Sequence, residues 1–146
     1  VMTQLVLPTH TNALDTVFGG TVMSWIDIAG AIAAQRHSAT DVVTASIDQL
    51  NFIAPIRKGW VVNLKASVNF TSRTSMEIGV RVDAENPKTS EMFHTASAYM
   101  TFVALGSDGR PSPIPGLILE SDIEKRRFAA AEKRRAQRLA NKNNDS

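Results

Sequence analysis

The stretch Thr21 to His37, TVMSWIDIAGAIAAQRH, is dominated by Ala, Ile, Met and Val and contains no Pro, over a length that gives about four to five helical turns. A helix that is apolar on nearly every side cannot lie on a surface; it has to be enclosed. Its small residues Ala29, Gly30, Ala31, Ala33 and Ala34 let other backbone come close, which suits enclosure by a sheet. The remainder of the chain must therefore supply that sheet.

The pattern after the helix meets this requirement. Leu64, Ala66, Val68 and Phe70 alternate with Asn63, Lys65, Ser67 and Asn69, and Met76, Ile78, Val80 and Val82 alternate with Glu77, Gly79, Arg81 and Asp83. Both runs read as half-buried strands. Further strands are expected at about 3–7, 42–53 and 90–105, with turns at Pro55 to Gly59, Thr71 to Ser75 and Asn86-Pro87. The expected order is strand, helix, then four strands. Pro111, Pro113 and Pro115 force an extended connector. Ser121 and Glu124 then form a capping-box pattern that opens a helix to about Leu139, before a frayed NKNNDS end. The expected organisation is a domain over 1–119, connector included, followed by a basic helix and tail over 120–146.

A chain of 146 residues with 43% hydrophobic content can bury one sizeable core without staples. Cys is absent, which excludes disulfides, thiolate metal sites and a cysteine nucleophile. No apolar run approaches a membrane span, and the first residues lack a signal peptide's basic start, so the expectation is a soluble cytoplasmic protein. Charge is uneven. Eight Lys and Arg face nine Asp and Glu before residue 120, against eight and five from there on. A basic tail can attract phosphates, but Phe128 is its one aromatic, so no base-stacking platform supports nucleic-acid binding.

Nucleophile elbows, P-loops, dinucleotide glycine triplets and zinc helices are missing, and His10, His37 and His94 have no ligand spacing. The informative residues are Asn12, Gly19, Gly20 and Asp27. Gly19-Gly20 precede the long helix, whose first N–H groups are unpaired and electropositive, a place where an oxyanion can be held. A Gly pair there also serves as plain turn geometry. Asp27 is the sharper anomaly, a carboxylate on an apolar helix. It is either hydrogen-bonded to a neighbouring strand or partner chain, or it is a general base or nucleophile.

The segments Thr11-Asn12, Phe18-Gly19-Gly20-Thr-Val-Met-Ser-Trp-Ile-Asp27, Val-Val-Thr44 and Asn51-Phe52-Ile-Ala-Pro55 resemble the hotdog-fold acyl-CoA thioesterases of the YciA and brain acyl-CoA hydrolase type. The family pattern is matched at Asn12, Gly19, Gly20, Met23, Asp27, Thr44, Phe52 and Pro55, and Asp15 stands where the family often has Gly. The resemblance implies an α+β hotdog, a long central helix wrapped by a curved antiparallel sheet. It also implies pairing of two chains with active sites at the dimer interface, and further assembly into a trimer of dimers. Asp27 is then catalytic, Asn12 reaches across the interface, and the Gly20 amide, with Gly19 beside it, meets the thioester oxygen. Arg73-Thr74-Ser75 resembles the family turn near the nucleotide part of coenzyme A, and Arg57-Lys58 is a second candidate for its phosphates. No metal or bound cofactor is implied; coenzyme A belongs to substrate and product.

Other hotdog enzymes are dehydratases and hydratases. Their signatures are absent, and Asp83-Ala-Glu-Asn86-Pro87 lacks the hydratase spacing, leaving Asn86-Pro87 as a turn. The alternative from a different class is a non-catalytic acyl-CoA-binding or regulatory hotdog.

Overall fold

The computed structural model of the chain describes residues 1–144. Its elements run β1 (Met2–Leu5), a 3-10 turn (Pro8–His10), α1 (Gly19–Ser38), β2 (Asp41–Ile47), β3 (Asn51–Phe52), β4 (Val61–Thr71), β5 (Ser75–Asn86), β6 (Glu91–Leu105) and α2 (Asp122–Asn144). The strands form one antiparallel sheet in the order β1-β4-β5-β6-β2, with β3 also paired to β6.

The alternating residues of β4, β5 and β6 put Leu64, Ile78, Val80, Met100 and Phe102 against α1, together with its Trp25, Ile26 and Ala29. Burying each large side chain of this set contributes about 1.5–3 kcal/mol. Close approach of α1 to β6 depends on Gly30, where an added Cβ would lie 3.0 Å from Phe102 Cε2 and 3.1 Å from Met100 Sδ. α1 ends where Ala39 turns left-handed at φ 55° and its N–H bonds the Gln35 carbonyl. The sheet curls over one side of α1 in the hotdog architecture, whereas the other side, with Met23, Ile28 and Ile32 exposed, is left open within one chain, so the enclosure expected of so apolar a helix is only partial.

Four expectations need correction. The strand anticipated over 42–53 is two strands lying end to end along β6: the Asp48 N–H makes a last bond to the Tyr99 carbonyl of β6, and pairing resumes only at Asn51. Five strands therefore follow α1. The helix begins at Gly19 rather than Thr21, so the Gly pair forms its first two residues. Glu77 and Asp83, placed by alternation on a half-buried strand's polar side, are 1% and 8% exposed. Finally, α2 continues past Leu139 through Asn144, so fraying does not begin at Asn141; residues 145–146 lie outside the described residues.

α2 explains the burial of Glu77, while Asp83 is paired with Arg81 of its own strand at 3.0 Å. The helix packs on the face of the sheet opposite α1, and Arg134 gives Glu77 two bonds, Nε to Oε1 at 2.7 Å and Nη2 to Oε2 at 2.8 Å. Arg138 bridges Glu77 and Asp48, each at 3.4 Å. Arg134 also lies 3.7 Å from the Tyr99 ring centroid, and Phe128 packs on Phe70 at 4.9 Å. The hydrogen bond to Glu77 holds the Arg134 guanidinium above its ordinary pKa, against the opposing pull of burial. At the start of α2, Ser121 Oγ accepts from the Glu124 N–H, while the Glu124 carboxylate reaches the Glu120 N–H.

Candidate functional site

The N-terminus of α1 opens into a cleft of about 320 Å³ between the Thr16–Val17 segment, β3 and the Ile53–Ile56 segment. Phe18, which precedes the helix, makes no side-chain cap bond; its carbonyl accepts from the N–H groups of Thr21 and Val22. Helical geometry leaves the N–H groups of Gly19 and Gly20 without intrahelical partners. Both glycines are exposed, and the Phe52 ring flanks Gly19. The pair is thus a donor site without a side chain of its own to block it.

Asp27 lies seven residues further along α1, about 10 Å by helical rise. It is partly exposed, and Thr44 Oγ1 of β2 donates to its Oδ1 at 2.6 Å. The strand bond anticipated as one reading of Asp27 is therefore present. It fixes the carboxylate while leaving Oδ2 without a protein partner among the described residues.

Asn12 organises the loop ahead of α1. Its Oδ1 accepts from the Leu14 N–H at 2.9 Å, the Thr16 N–H at 3.3 Å and Thr16 Oγ1 at 3.2 Å, which leaves the Nδ2 donors outward. Asp15 adopts φ 57°, in the left-handed region, which accounts for Gly at that place in the family pattern. Within one chain Asn12 makes no bond to Asp27.

The basic candidates are dispersed. The Arg57 backbone pairs with that of Thr16, and Lys58 Nζ sits 3.7 Å from Asp15, so both flank the Asn12 loop. Arg73 is exposed in the β4–β5 turn, which Ser72 and Ser75 close through a 2.6 Å hydroxyl contact. The carbonyls of Arg73 and Thr74 accept from Ile114 and Ala104. Ser75 and Val43 flank Val103 on opposite sides, which places the turn two strands from β2, roughly 10 Å. Within one chain neither basic pair reaches Asp27. The histidines serve structure: His10 Nδ1 accepts from Leu7 and its ring packs on Trp25, His37 bonds the Pro115 carbonyl, and His94 the Ala96 carbonyl.

Two features escaped the sequence reading. One is Thr44, matched in the family pattern but given no role; a threonine on a strand carries no signal until its carboxylate partner is known. The other is the apolar belt beside the site. Leu14, Phe18, Met23, Ile28, Val43, Phe52 and Ile53 are all exposed, Val43 and Phe52 on the edge strands β2 and β3, Met23 and Ile28 on α1, and Leu14 and Phe18 in the segment before it.

Residues 14–91 match the family model described as the thioesterase superfamily, which spans more than half of the chain. The chain belongs to the thioesterase superfamily. Within it, the chain is 41% identical over 126 residues to the cytosolic acyl coenzyme A thioester hydrolase of Mus musculus, covering 85% of this chain and 33% of that protein. It therefore spans about a third of the length of that curated relative. An apo hexameric acyl-CoA thioesterase superposes with a TM-score of 0.92 at 39% identity, over 96% of this chain and 90% of that one. The acyl-CoA hydrolase of Staphylococcus aureus, solved with butyryl coenzyme A, coenzyme A and coenzyme A disulfide, superposes at 0.86 with 36% identity, over 98% and 90%. Three alanine variants of the latter replace an asparagine, an aspartate and a threonine. The intervals between those residues, fifteen and seventeen positions, equal those between Asn12, Asp27 and Thr44.

Proposed function

We propose that this chain hydrolyses acyl-CoA thioesters to a carboxylic acid and coenzyme A, with Asp27 as the reactive carboxylate. The observation that carries the reading is Asp27, held by Thr44 on the helix that also presents two unpartnered glycine amides. The coenzyme A complexes of the Staphylococcus aureus hydrolase support the substrate class.

The thioester carbonyl oxygen accepts from the Gly20 N–H, with Gly19 beside the bound ester. The amide and the positive end of α1 stabilise the oxyanion that forms when the carbonyl is attacked. Asp27 either takes the proton from an attacking water or attacks the carbonyl itself to give an anhydride that water then opens. In the first route the proton taken by Asp27 passes to the departing thiolate as the carbon–sulfur bond breaks; in the second the thiolate departs as the anhydride forms and takes its proton from solvent, and the water that opens the anhydride gives the free acid and restores the Asp27 carboxylate. The neutral reading, a strand-anchoring carboxylate, accounts for the Thr44 bond but leaves the glycine amides and the outward Asn12 donors unused.

A second copy completes the site. The β2–β3 edge and the apolar belt form a surface that another chain of the same kind would cover, and the hexameric thioesterase supports such assembly. Across that dimer interface Asn12 Nδ2 would orient water or the thioester at the partner's carboxylate, with a trimer of dimers as the larger assembly. Arg73 with Thr74 and Ser75, and Arg57 with Lys58, would face the coenzyme A phosphates. Among the described residues no helix is long and apolar enough to cross a membrane.

The test is release of free coenzyme A thiol from saturated and branched esters, acetyl to palmitoyl, by wild type and Asp27→Asn in parallel. The expected outcome is turnover by wild type and a loss of about 10²–10⁴-fold in the variant. Silence of wild type across the panel with coenzyme A binding retained would establish the regulatory hotdog instead.

A further inference from the structure

β2 serves both faces of the sheet within three residues. Thr44 stands opposite Phe102, on the face that α1 covers, and bonds Asp27 there. Ser46 stands opposite Thr101, whose neighbour on the next strand is Glu77, on the face that α2 covers. Regular alternation would put residues 44 and 46 on the same face. The reversal comes at Ala45, where β2 holds one residue more than β6, a bulge directly after the threonine that holds the carboxylate. β2 is an edge strand, so within the sheet β6 alone sets its register. A bulge one residue earlier would put Ala45 opposite Phe102 in place of Thr44.

The segment after the bulge is held from α2. Arg138 Nη1 lies 3.4 Å from Asp48 Oδ2, and the same oxygen accepts from Ser46 Oγ at 3.3 Å. Asp48 has no other cationic partner among the described residues. Glu77, the second carboxylate beside Arg138, does not depend on it, because Arg134 already bonds both Glu77 oxygens. What Arg138 alone supplies is therefore the hold on Asp48. The two side chains are 23% and 22% exposed, so solvent screens the pair only in part.

We propose that Arg138 is a positioning residue for the reaction: by holding Asp48 it fixes the bulge at Ala45 and so keeps the Thr44 hydroxyl on Asp27. Arg138 lies on the opposite side of the sheet from the carboxylate and acts on it only through β2. The kinetic half of the proposal rests on the acyl-CoA hydrolase reading above, whereas the structural half, the hold of α2 on the register of β2, does not.

The test follows Arg138→Gln and Asp48→Ala, the second of which leaves both partners of Glu77 in place, by thiol release from acyl-CoA and by amide hydrogen exchange. Each variant should lower kcat about three- to tenfold with KM little changed, and Arg138→Lys, which keeps the charge, should recover most of the loss. Added to Thr44→Val, Arg138→Gln should cost nothing further, because the hydroxyl it positions is already gone; a contact that merely stabilised the fold would add its loss in full. Amides over 44–48 should exchange faster in both variants, while those of β4 and β5 keep their wild-type rates. Wild-type kcat in both variants, a loss additive with that of Thr44→Val, or unchanged exchange over 44–48 each overturns the proposal. The exchange measurement needs no turnover. If wild type releases no thiol, the hydrolase reading fails, while faster exchange over 44–48 still upholds the hold of α2 on β2 and unchanged exchange overturns it.

Discussion

Thr44 Oγ1 donates to Asp27 Oδ1 at 2.6 Å, tying the central helix to the edge strand through the carboxylate assigned the chemistry. A bond to a charged group contributes about 1.5–3 kcal/mol, equivalent to roughly ten- to hundredfold in rate if it is made only by the correctly placed carboxylate. Thr44→Val should therefore lower kcat by about that factor with KM little changed. Thr44→Ser, which keeps the hydroxyl, should restore most of it. Steady-state kinetics of the two variants checks this, and equal loss in both would reject the orienting role.

Asn12 combines two tasks that separate by substitution. Asn12→Asp keeps an oxygen for the Leu14 and Thr16 amides but removes the outward Nδ2 donors. It should lose activity by an order of magnitude or more with a wild-type thermal midpoint. Asn12→Ala should lose activity and also about 1 kcal/mol of stability, because two backbone donors lose their acceptor. Parallel melting curves and thiol-release assays distinguish the two.

Removing one partner of a buried ion pair leaves an uncompensated charge and costs about 3–5 kcal/mol. Glu77, enclosed between Arg134 and Arg138, is such a partner. Glu77→Ala should lower the thermal midpoint by roughly 6–20 °C for a domain of this size. A melt indistinguishable from wild type would show that α2 is not held by this carboxylate.

Arg73 stands exposed in its turn without a carboxylate partner among the described residues. Arg73→Ala should raise KM for acyl-CoA and leave kcat nearly unaltered, the signature of lost uniform binding. A pantetheine thioester lacking the nucleotide should be insensitive to the substitution, and a change there would place the effect elsewhere.

Asp15 occupies a left-handed conformation at φ 57°. Asp15→Ala should destabilise by about 1 kcal/mol, whereas Asp15→Gly should lie within about 0.5 kcal/mol of wild type, since glycine removes the strain while the exposed Lys58 contact contributes little. Denaturant midpoints of the two variants provide the comparison.

What the sequence made legible follows from where the signal is local. The helix and strand periods stand in consecutive residues, so α1, β4, β5 and β6 could be read directly. Asp27 stood out because its immediate neighbours are Ile26 and Ile28. The break after Asp48 did not, because Gln49 and Leu50 carry no local signal that they leave the ladder with β6. Glu77 read as one of a strand's polar residues because its partner Arg134 lies 57 residues away on a helix whose docking face no local pattern reveals. Thr44 was hidden for the same reason, its meaning residing in a residue on a different element.

The separation of Glu77 from Arg134 also sets a schedule for the newborn chain. At about 5–20 residues added per second, the carboxylate waits roughly 3–11 s for its guanidinium to be synthesised. During that interval the outer face of the sheet shows an unneutralised acid beside Phe70 and Tyr99. A chain cut short before Arg134 would keep that acid uncompensated for its whole lifetime.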